Sequence, residues 1–169
     1  MLRFNSDHKF KIMQIADTQE IPAVSPDTLS LINNALDREK PDLVIFTGDQ
    51  IKGYSKKFKK DPAIIESTID ILVEPIAKRN IPFMVTYGNH DAQCGIDNRG
   101  QYKFYAKYDN FISGDLRNSD DVGTADIQIY SSTEDKPVFE LYIIDSHGKA
   151  KDGAGYAPVD KKQIEWYVS

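Results

Sequence analysis

The sequence is poor in cysteine and has no long apolar run. Its 169 residues include one cysteine, Cys94, so an internal disulfide cannot form and nothing requires an oxidising compartment. The apolar stretches fall far short of the roughly 20 residues that span a bilayer. Residues 1–11 lack the hydrophobic segment of a secretory signal. These absences predict a cytoplasmic protein with no membrane partner.

Positive charge is also in short supply. The chain carries 21 Lys and Arg against 26 Asp and Glu, which gives a net charge of −5. Proteins that coat nucleic acid usually present basic surfaces, so this balance disfavours nucleic acid as a partner. With 40% hydrophobic residues the chain can build one compact core and is short for two. We therefore expect a single domain over residues 1–169.

The first half of the chain alternates short apolar segments with helical patterns. β-Branched and aromatic residues indicate buried strands, and Ser25 followed by Pro26 is typical of a helix start. Such an alternation predicts right-handed crossovers onto a largely parallel sheet. The predicted elements of this half are strands at 10–16, 42–46 and 82–87, with helices between 25 and 41 and between 61 and 79.

The second half has a different pattern. Two strand-like segments joined by a short polar connection predict a hairpin in a second sheet. A glycine-containing loop and a final helical segment follow. The predicted elements are an aromatic-rich helix at 101–111, strands at 125–132 and 138–145, a loop at 148–157 and a helix at 158–167.

Each predicted strand of the first half ends in residues with oxygen- or nitrogen-bearing side chains. The three clusters are Ala-Asp-Thr-Gln at 16–19, Gly-Asp-Gln at 48–50 and Gly-Asn-His-Asp at 88–91. Open α/β sheets bind ligands beyond the carboxyl ends of their strands, so the clusters should converge on one site. Carboxylates, amides and an imidazole suit Mg²⁺, Mn²⁺, Fe or Zn²⁺. Because a carboxylate can bridge two cations, Asp49 of the middle cluster is the natural bridge.

In this order, each after a strand, the three clusters resemble the first three motifs of the calcineurin-like metallophosphoesterases. The segments 144–146, 155–156 and 163–166 resemble the purple acid phosphatase-related branch, so the likeness covers almost the whole chain. The fold that the resemblance implies is an α/β protein of four layers, α/β/β/α. It has two mixed β-sheets with helices on both outer faces.

The resemblance also implies a function and roles for particular residues. Two divalent ions, of Mn, Fe, Zn or Mg, would activate a hydroxide that hydrolyses a phosphate mono- or diester. The substrate would be a phosphorylated small molecule or protein. Asp17 and Gln19 would lie at the first metal, Asp49 would bridge, Asn89 would bind the second metal, and His90 would assist the leaving oxygen.

Two departures from the family pattern leave an alternative open. Gln19 stands where the family most often has histidine, and an amide is the weaker ligand. The further histidines of the family, one alone and two in Gly-His-x-His, do not occur in this sequence. We therefore expect a domain truncated at its C-terminus and inactive or barely active alone. The alternative is a non-catalytic phosphate- or metal-binding module on a degenerate phosphoesterase scaffold.

Two other features favour ordinary interpretations. His147 follows a predicted strand, but we interpret it as a loop residue rather than a ligand. The lysines after the second cluster could form an electropositive rim that attracts phosphorylated substrates, although a solvated charged loop is the simpler interpretation. These lysines are Lys52, Lys56, Lys57, Lys59 and Lys60.

Overall fold

The computed structural model describes residues 1–113, 122–150, 152–153 and 155–169. Within them the chain forms an α/β fold with two three-stranded sheets and four α-helices. None of these helices combines the length and apolarity needed to cross a membrane. In chain order the elements are β1 (Leu2–Arg3), β2 (Ile12–Ile15), α1 (Pro26–Glu39), β3 (Leu43–Thr47), α2 (Pro62–Ala77), β4 (Phe83–Thr86), α3 (Asn98–Ala106), β5 (Ala125–Tyr130), β6 (Pro137–Ile143) and α4 (Lys161–Val168).

The first sheet is parallel, in the order β2–β3–β4. Strand β3 lies in the centre and is buried from Leu43 to Phe46. A strand covered on both faces reads as a continuous apolar run, which is why the sequence predicts it so clearly. The parallel layer and its crossovers are as predicted.

Helices α1 and α2 each begin directly after a capping residue. The Ser25 hydroxyl accepts a hydrogen bond from Asp27 N (3.3 Å), and Pro26 occupies the first helical position. The Asp61 carboxylate accepts one from Ala63 N (2.9 Å) at the start of α2. Both helices then bury an apolar stripe against the first sheet, including Leu36 of α1. The two helices therefore pack on one face of the first sheet.

The second sheet is mixed, in the order β1–β5–β6, with β1 parallel to β5 and β6 antiparallel to it. It packs on the opposite face of the first sheet, where Ile45 and Met84 meet Ile127 and Ile143. Helix α4 covers part of its outer face, since Trp166 lies against Tyr142 of β6 with ring centroids 5.6 Å apart. The layers therefore follow the predicted α/β/β/α order.

The remaining differences from prediction are the ends of two helices and one short strand that was not predicted. Helix α3 starts at Asn98 because Asp97 caps it by accepting a hydrogen bond from Gly100 N at 2.7 Å. Helix α4 starts at Lys161 because Asp160 and Gln163 form a capping box. Strand β1 has two residues, too few to show a periodic pattern in the sequence.

Candidate active site

The carboxyl ends of β2 and β3 lie side by side, and their backbones stay paired beyond the strands. Asp17 N donates to Gly48 O at 3.1 Å, and Gln19 N donates to Asp49 O at 2.9 Å. The first two polar clusters therefore form one edge, as predicted. Asp17, Gln19 and Asp49 have φ of 53°, 43° and 52°, a left-handed conformation that non-glycine residues seldom adopt. Left-handed residues also occur elsewhere in the chain, for example at Lys40 and Asn80, so this conformation shapes the edge and does not by itself mark a site.

Two glycines allow the second and third clusters to approach closely. A Cβ on Gly48 would lie 2.6 Å from Gly88 N, and a Cβ on Gly88 would lie 2.0 Å from Asp49 Oδ1. The space that a side chain at 88 would fill is thus occupied by the Asp49 carboxylate. Asp49 is only 7% exposed as a residue, and its carboxylate accepts a hydrogen bond from His90 N at 2.9 Å. Asp49, which belongs to the second cluster, therefore makes hydrogen bonds to both the first and the third.

Asp91, which the sequence places in the third cluster without a predicted role, organises the edge. It is 1% exposed, and its Oδ2 accepts hydrogen bonds from Asp49 N and Gly88 N, both at 2.8 Å. Its Oδ1 accepts a longer one from Ile51 N at 3.3 Å. Burial raises the pKa of this carboxyl to about 6, against the lowering effect of the three backbone N–H groups. The signal available in the sequence was an acidic residue directly after Gly-Asn-His.

His90 lies at the exposed side of this edge. Its Nδ1 is 3.0 Å from Gln93 Oε1, and its ring centroid is 4.8 Å from that of Tyr54. The loop after β6 passes close by, since a Cβ on Gly148 would lie 3.9 Å from Asn89 Cα. The second sheet therefore borders the site beside the third cluster.

His147 belongs to that bordering loop. Its N donates to Asp145 Oδ1 at 2.8 Å, and its Nε2 lies 3.7 Å from the Asp160 carboxylate. Asp145 is itself buried and accepts a hydrogen bond from Asn98 Nδ2 at 2.9 Å. These contacts hold the loop against helix α3, which agrees with our interpretation of His147 as a loop residue.

The side chains at the edge match a divalent cation in kind. Asp17 and Asp49 offer carboxylate oxygens and Gln19 and Asn89 offer amide oxygens, which are donors for hard cations. Gly88 has no side chain, and the Asp49 carboxylate occupies the space that a Cβ would fill. The carboxylate is thus held at the edge where a cation would bind. Within the described ranges no group of three or more His, Cys, Asp or Glu side chains is arranged to hold a metal. Two carboxylates and two amides are therefore the donor set on which a metal would depend.

Comparison with known proteins identifies the family. The family model for calcineurin-like phosphoesterases matches residues 10–167. The chain belongs to that family. It is 28% identical over 195 residues to an Arabidopsis thaliana protein named probable inactive purple acid phosphatase 14, covering 98% of this chain and 47% of that protein. It is 32% identical over 190 residues to phosphatase DCR2 of Saccharomyces cerevisiae, covering 98% of this chain and 32% of that protein.

A solved structure shows the same fold at low sequence identity. TT1561 of Thermus thermophilus superposes with a TM-score of 0.52 at 10% identity, covering 95% of this phosphoesterase-family chain and 64% of that one. The chain spans about a third to a half of the length of the curated relatives it matches. The predicted family, its purple acid phosphatase-related branch and the fold class are thus confirmed. The names of the relatives include both a phosphatase and proteins called probable inactive.

Proposed function

We propose that this chain contributes to the hydrolysis of phosphate mono- or diesters at a dinuclear divalent-metal centre. The observation that carries the proposal is the position of Asp49, paired through its backbone with the first cluster and through its carboxylate with His90. A carboxylate held between two donor clusters suits a bridging ligand. In this proposal Asp17 and Gln19 would bind one ion and Asn89 the other, with Asp49 as the bridge between them.

The centre would hold two ions, of Mn, Fe, Zn or Mg. When bound, such cations neutralise charge on the phosphoryl oxygens and lower the pKa of water. The chain's own part is to present oxygen donors in a fixed array. The left-handed backbone at Asp17, Gln19 and Asp49 and the three hydrogen bonds to Asp91 support the proposal, because they fix the backbone that carries these donors.

His90 would act on the leaving group. Its backbone N donates to Asp49 Oδ1 at 2.9 Å, which anchors the residue beside the proposed bridge. A positioned imidazole that gives a proton to the departing oxygen contributes about 10²–10⁴-fold to rate. The substrate would be a phosphorylated small molecule or protein.

A second candidate is a module that binds metal or phosphate without catalysis. Gln19 in place of an imidazole favours it, because an amide oxygen binds metal less tightly. The names of two Arabidopsis relatives, each a probable inactive purple acid phosphatase, point the same way. The two candidates share the metal site and differ in turnover.

Metal titration combined with turnover of an aryl phosphate separates the candidates. In a longer protein that also supplies the further histidines of the family, we expect Mn²⁺ to bind and to support hydrolysis, and Asp49→Asn to abolish both while the circular dichroism spectrum stays unchanged. Asp109→Asn, which removes an exposed carboxylate elsewhere, is the matched control and should behave as wild type. Metal binding without turnover would favour the binding module. Full activity in Asp49→Asn would remove Asp49 from the mechanism.

A further inference from the structure

A half-exposed tyrosine lies against the imidazole of His90. The two ring centroids are 4.8 Å apart with an interplanar angle of 61°, and Tyr54 remains 50% exposed. A ring left so open gains little from apolar burial, so core packing does not account for its position. The ammonium of Lys52 lies 5.2 Å from the centroid of the same ring, in cation–π contact. Tyr54 is thus held between a cation and His90.

The backbone brings Tyr54 to this position by close contact. A Cβ on Gly53 would lie 2.0 Å from His90 O, so no residue with a side chain fits there without moving the third cluster. Gly53 N donates to Ile51 O at 2.9 Å, and Ser55 N donates to Lys52 O at 2.7 Å. These turns fix the direction in which the chain presents Tyr54.

Gln93 holds the other side of the imidazole. Its Oε1 lies 3.0 Å from His90 Nδ1, so an imidazole that is protonated at Nδ1 donates to this amide oxygen. With Nδ1–H engaged, Nε2 is the nitrogen left to exchange a proton with a ligand. His90 N is meanwhile anchored on Asp49 Oδ1. The imidazole is thereby constrained at its backbone, at one nitrogen and on its ring.

We propose that Tyr54 and Gln93 are positioning residues that hold His90 with Nε2 directed at the leaving oxygen of a phosphate ester. The inference rests on the proposed function. In the step, a water oxygen bonds to phosphorus and the bond from phosphorus to the leaving oxygen breaks. The Nε2 proton passes to that oxygen, while the Nδ1 proton stays on the ring in its hydrogen bond to Gln93. A proton from the attacking water is released to solvent, and His90 then takes up a proton again.

A series of leaving groups tests the role of Tyr54. A poor leaving group such as phenolate needs the proton from His90, whereas 2,4-dinitrophenolate departs without it. We expect Tyr54→Leu to lower kcat about tenfold for phenyl phosphate and less than about twofold for the dinitrophenyl ester, with KM unchanged. Tyr54→Phe keeps the ring and should retain wild-type rates. Gln93→Leu should show the same selective loss as Tyr54→Leu.

The control is Tyr167→Leu, which removes another exposed ring. Tyr167 is 55% exposed and packs on Tyr142 of the second sheet. The control variant should leave the ratio of the two rates unchanged. Equal losses on both esters in Tyr54→Leu, or a loss in Tyr54→Phe, would overturn the positioning role.

A measurement without turnover keeps the test separate from the proposed function. In metal-free protein labelled at histidine, we expect Tyr54→Leu to move the Cε1–H resonance of His90 and to leave those of His8 and His147 in place. His90→Ala assigns the signal. An unmoved resonance would overturn the ring contact itself. If the longer protein hydrolyses no ester, the proposed function and the positioning role of Tyr54 in catalysis both fail, and a moved resonance then supports the contact alone.

Discussion

Replacing Asp91 tests whether one buried carboxylate holds the strand-end loops together. In Asp91→Ala the N–H groups of Asp49, Ile51 and Gly88 lose their acceptor. A buried donor left without a partner costs about 1–3 kcal/mol. Because Ile51 and Asp49 are buried and Gly88 is partly buried, we expect the free energy of unfolding to fall by about 3–5 kcal/mol.

Asp91→Asn should cost less than the alanine variant, although it removes the charge. Its amide oxygen can take the place of Oδ2 and keep the two hydrogen bonds of 2.8 Å, from Asp49 N and Gly88 N. Its NH₂ group then faces Ile51 N, and because both groups are donors, only the hydrogen bond of 3.3 Å from Ile51 N is lost. The neutral side chain also avoids the cost of burying a carboxylate. Below pH 3.8, where both side chains are neutral, we expect a loss of about 1–2 kcal/mol, clearly below that of Asp91→Ala.

The pH dependence of the same variants has a definite sign. Burial raises the pKa of Asp91 from its ordinary 3.8 to about 6, so the folded state binds this proton more tightly than the unfolded state. The resulting stability is fully present below 3.8 and is lost as pH rises through about 6. At about 1.4 kcal/mol for each pKa unit, wild type should lose about 3 kcal/mol relative to Asp91→Asn across that window.

Urea unfolding measures these free energies of unfolding. It is carried out in the presence of a chelator at several pH values, over the range where all variants fold. Wild type, Asp91→Asn and Asp91→Ala are compared with Asp109→Asn, which removes an exposed carboxylate. Equal costs for the asparagine and alanine variants would refute the hydrogen-bond argument. A difference between wild type and Asp91→Asn that does not change with pH would refute the burial argument.

Three further substitutions test the edge of the sheet. His90→Ala should lower kcat about 10²–10⁴-fold with metal content unchanged, and loss of metal by elemental analysis would make His90 a ligand instead. Gln19→His should tighten metal binding in a titration because imidazole is the stronger donor, and weaker binding would give Gln19 another role. Gly88→Ala should weaken metal binding about 10–100-fold, since its Cβ would lie 2.0 Å from Asp49 Oδ1. Gly148→Ala meets its nearest atom, Asn89 Cα, at 3.9 Å and is the control that should bind as wild type.

The elements that the sequence predicts well are those whose signals are local. Strand β3 is buried on both faces, so a continuous apolar run marks it in the sequence. Helix α1 is bounded by Ser25 and Pro26 at one end and by Lys40, in the left-handed conformation, before Pro41 at the other. Each of these signals lies in residues within or next to the element itself. The convergence of the three clusters then follows from the parallel arrangement of their strands.

The parts of the site that escaped prediction depend on residues far apart in the chain. Asp91 accepts its hydrogen bond from Asp49 N across 42 residues, and no local pattern distinguishes that carboxylate from a turn residue. Tyr54 meets His90 only because the turn through Gly53 touches the third cluster. Gln101, buried in α3, donates to Asp91 O at 2.8 Å and looks like a surface residue in the sequence. Tertiary packing alone determines these contacts.

The strain at the sheet edge bears on the choice between hydrolase and binding module. Three non-glycine residues, Asp17, Gln19 and Asp49, are left-handed at one edge, at about 1–3 kcal/mol each. These outliers support the proposal that the edge binds a ligand, which both candidate functions require. The imidazole is what separates the two functions. A module that only binds metal or phosphate gains nothing from an imidazole held at Nδ1 by Gln93, whereas proton transfer from Nε2 depends on the orientation of the ring. The constrained ring of His90 therefore favours the hydrolase.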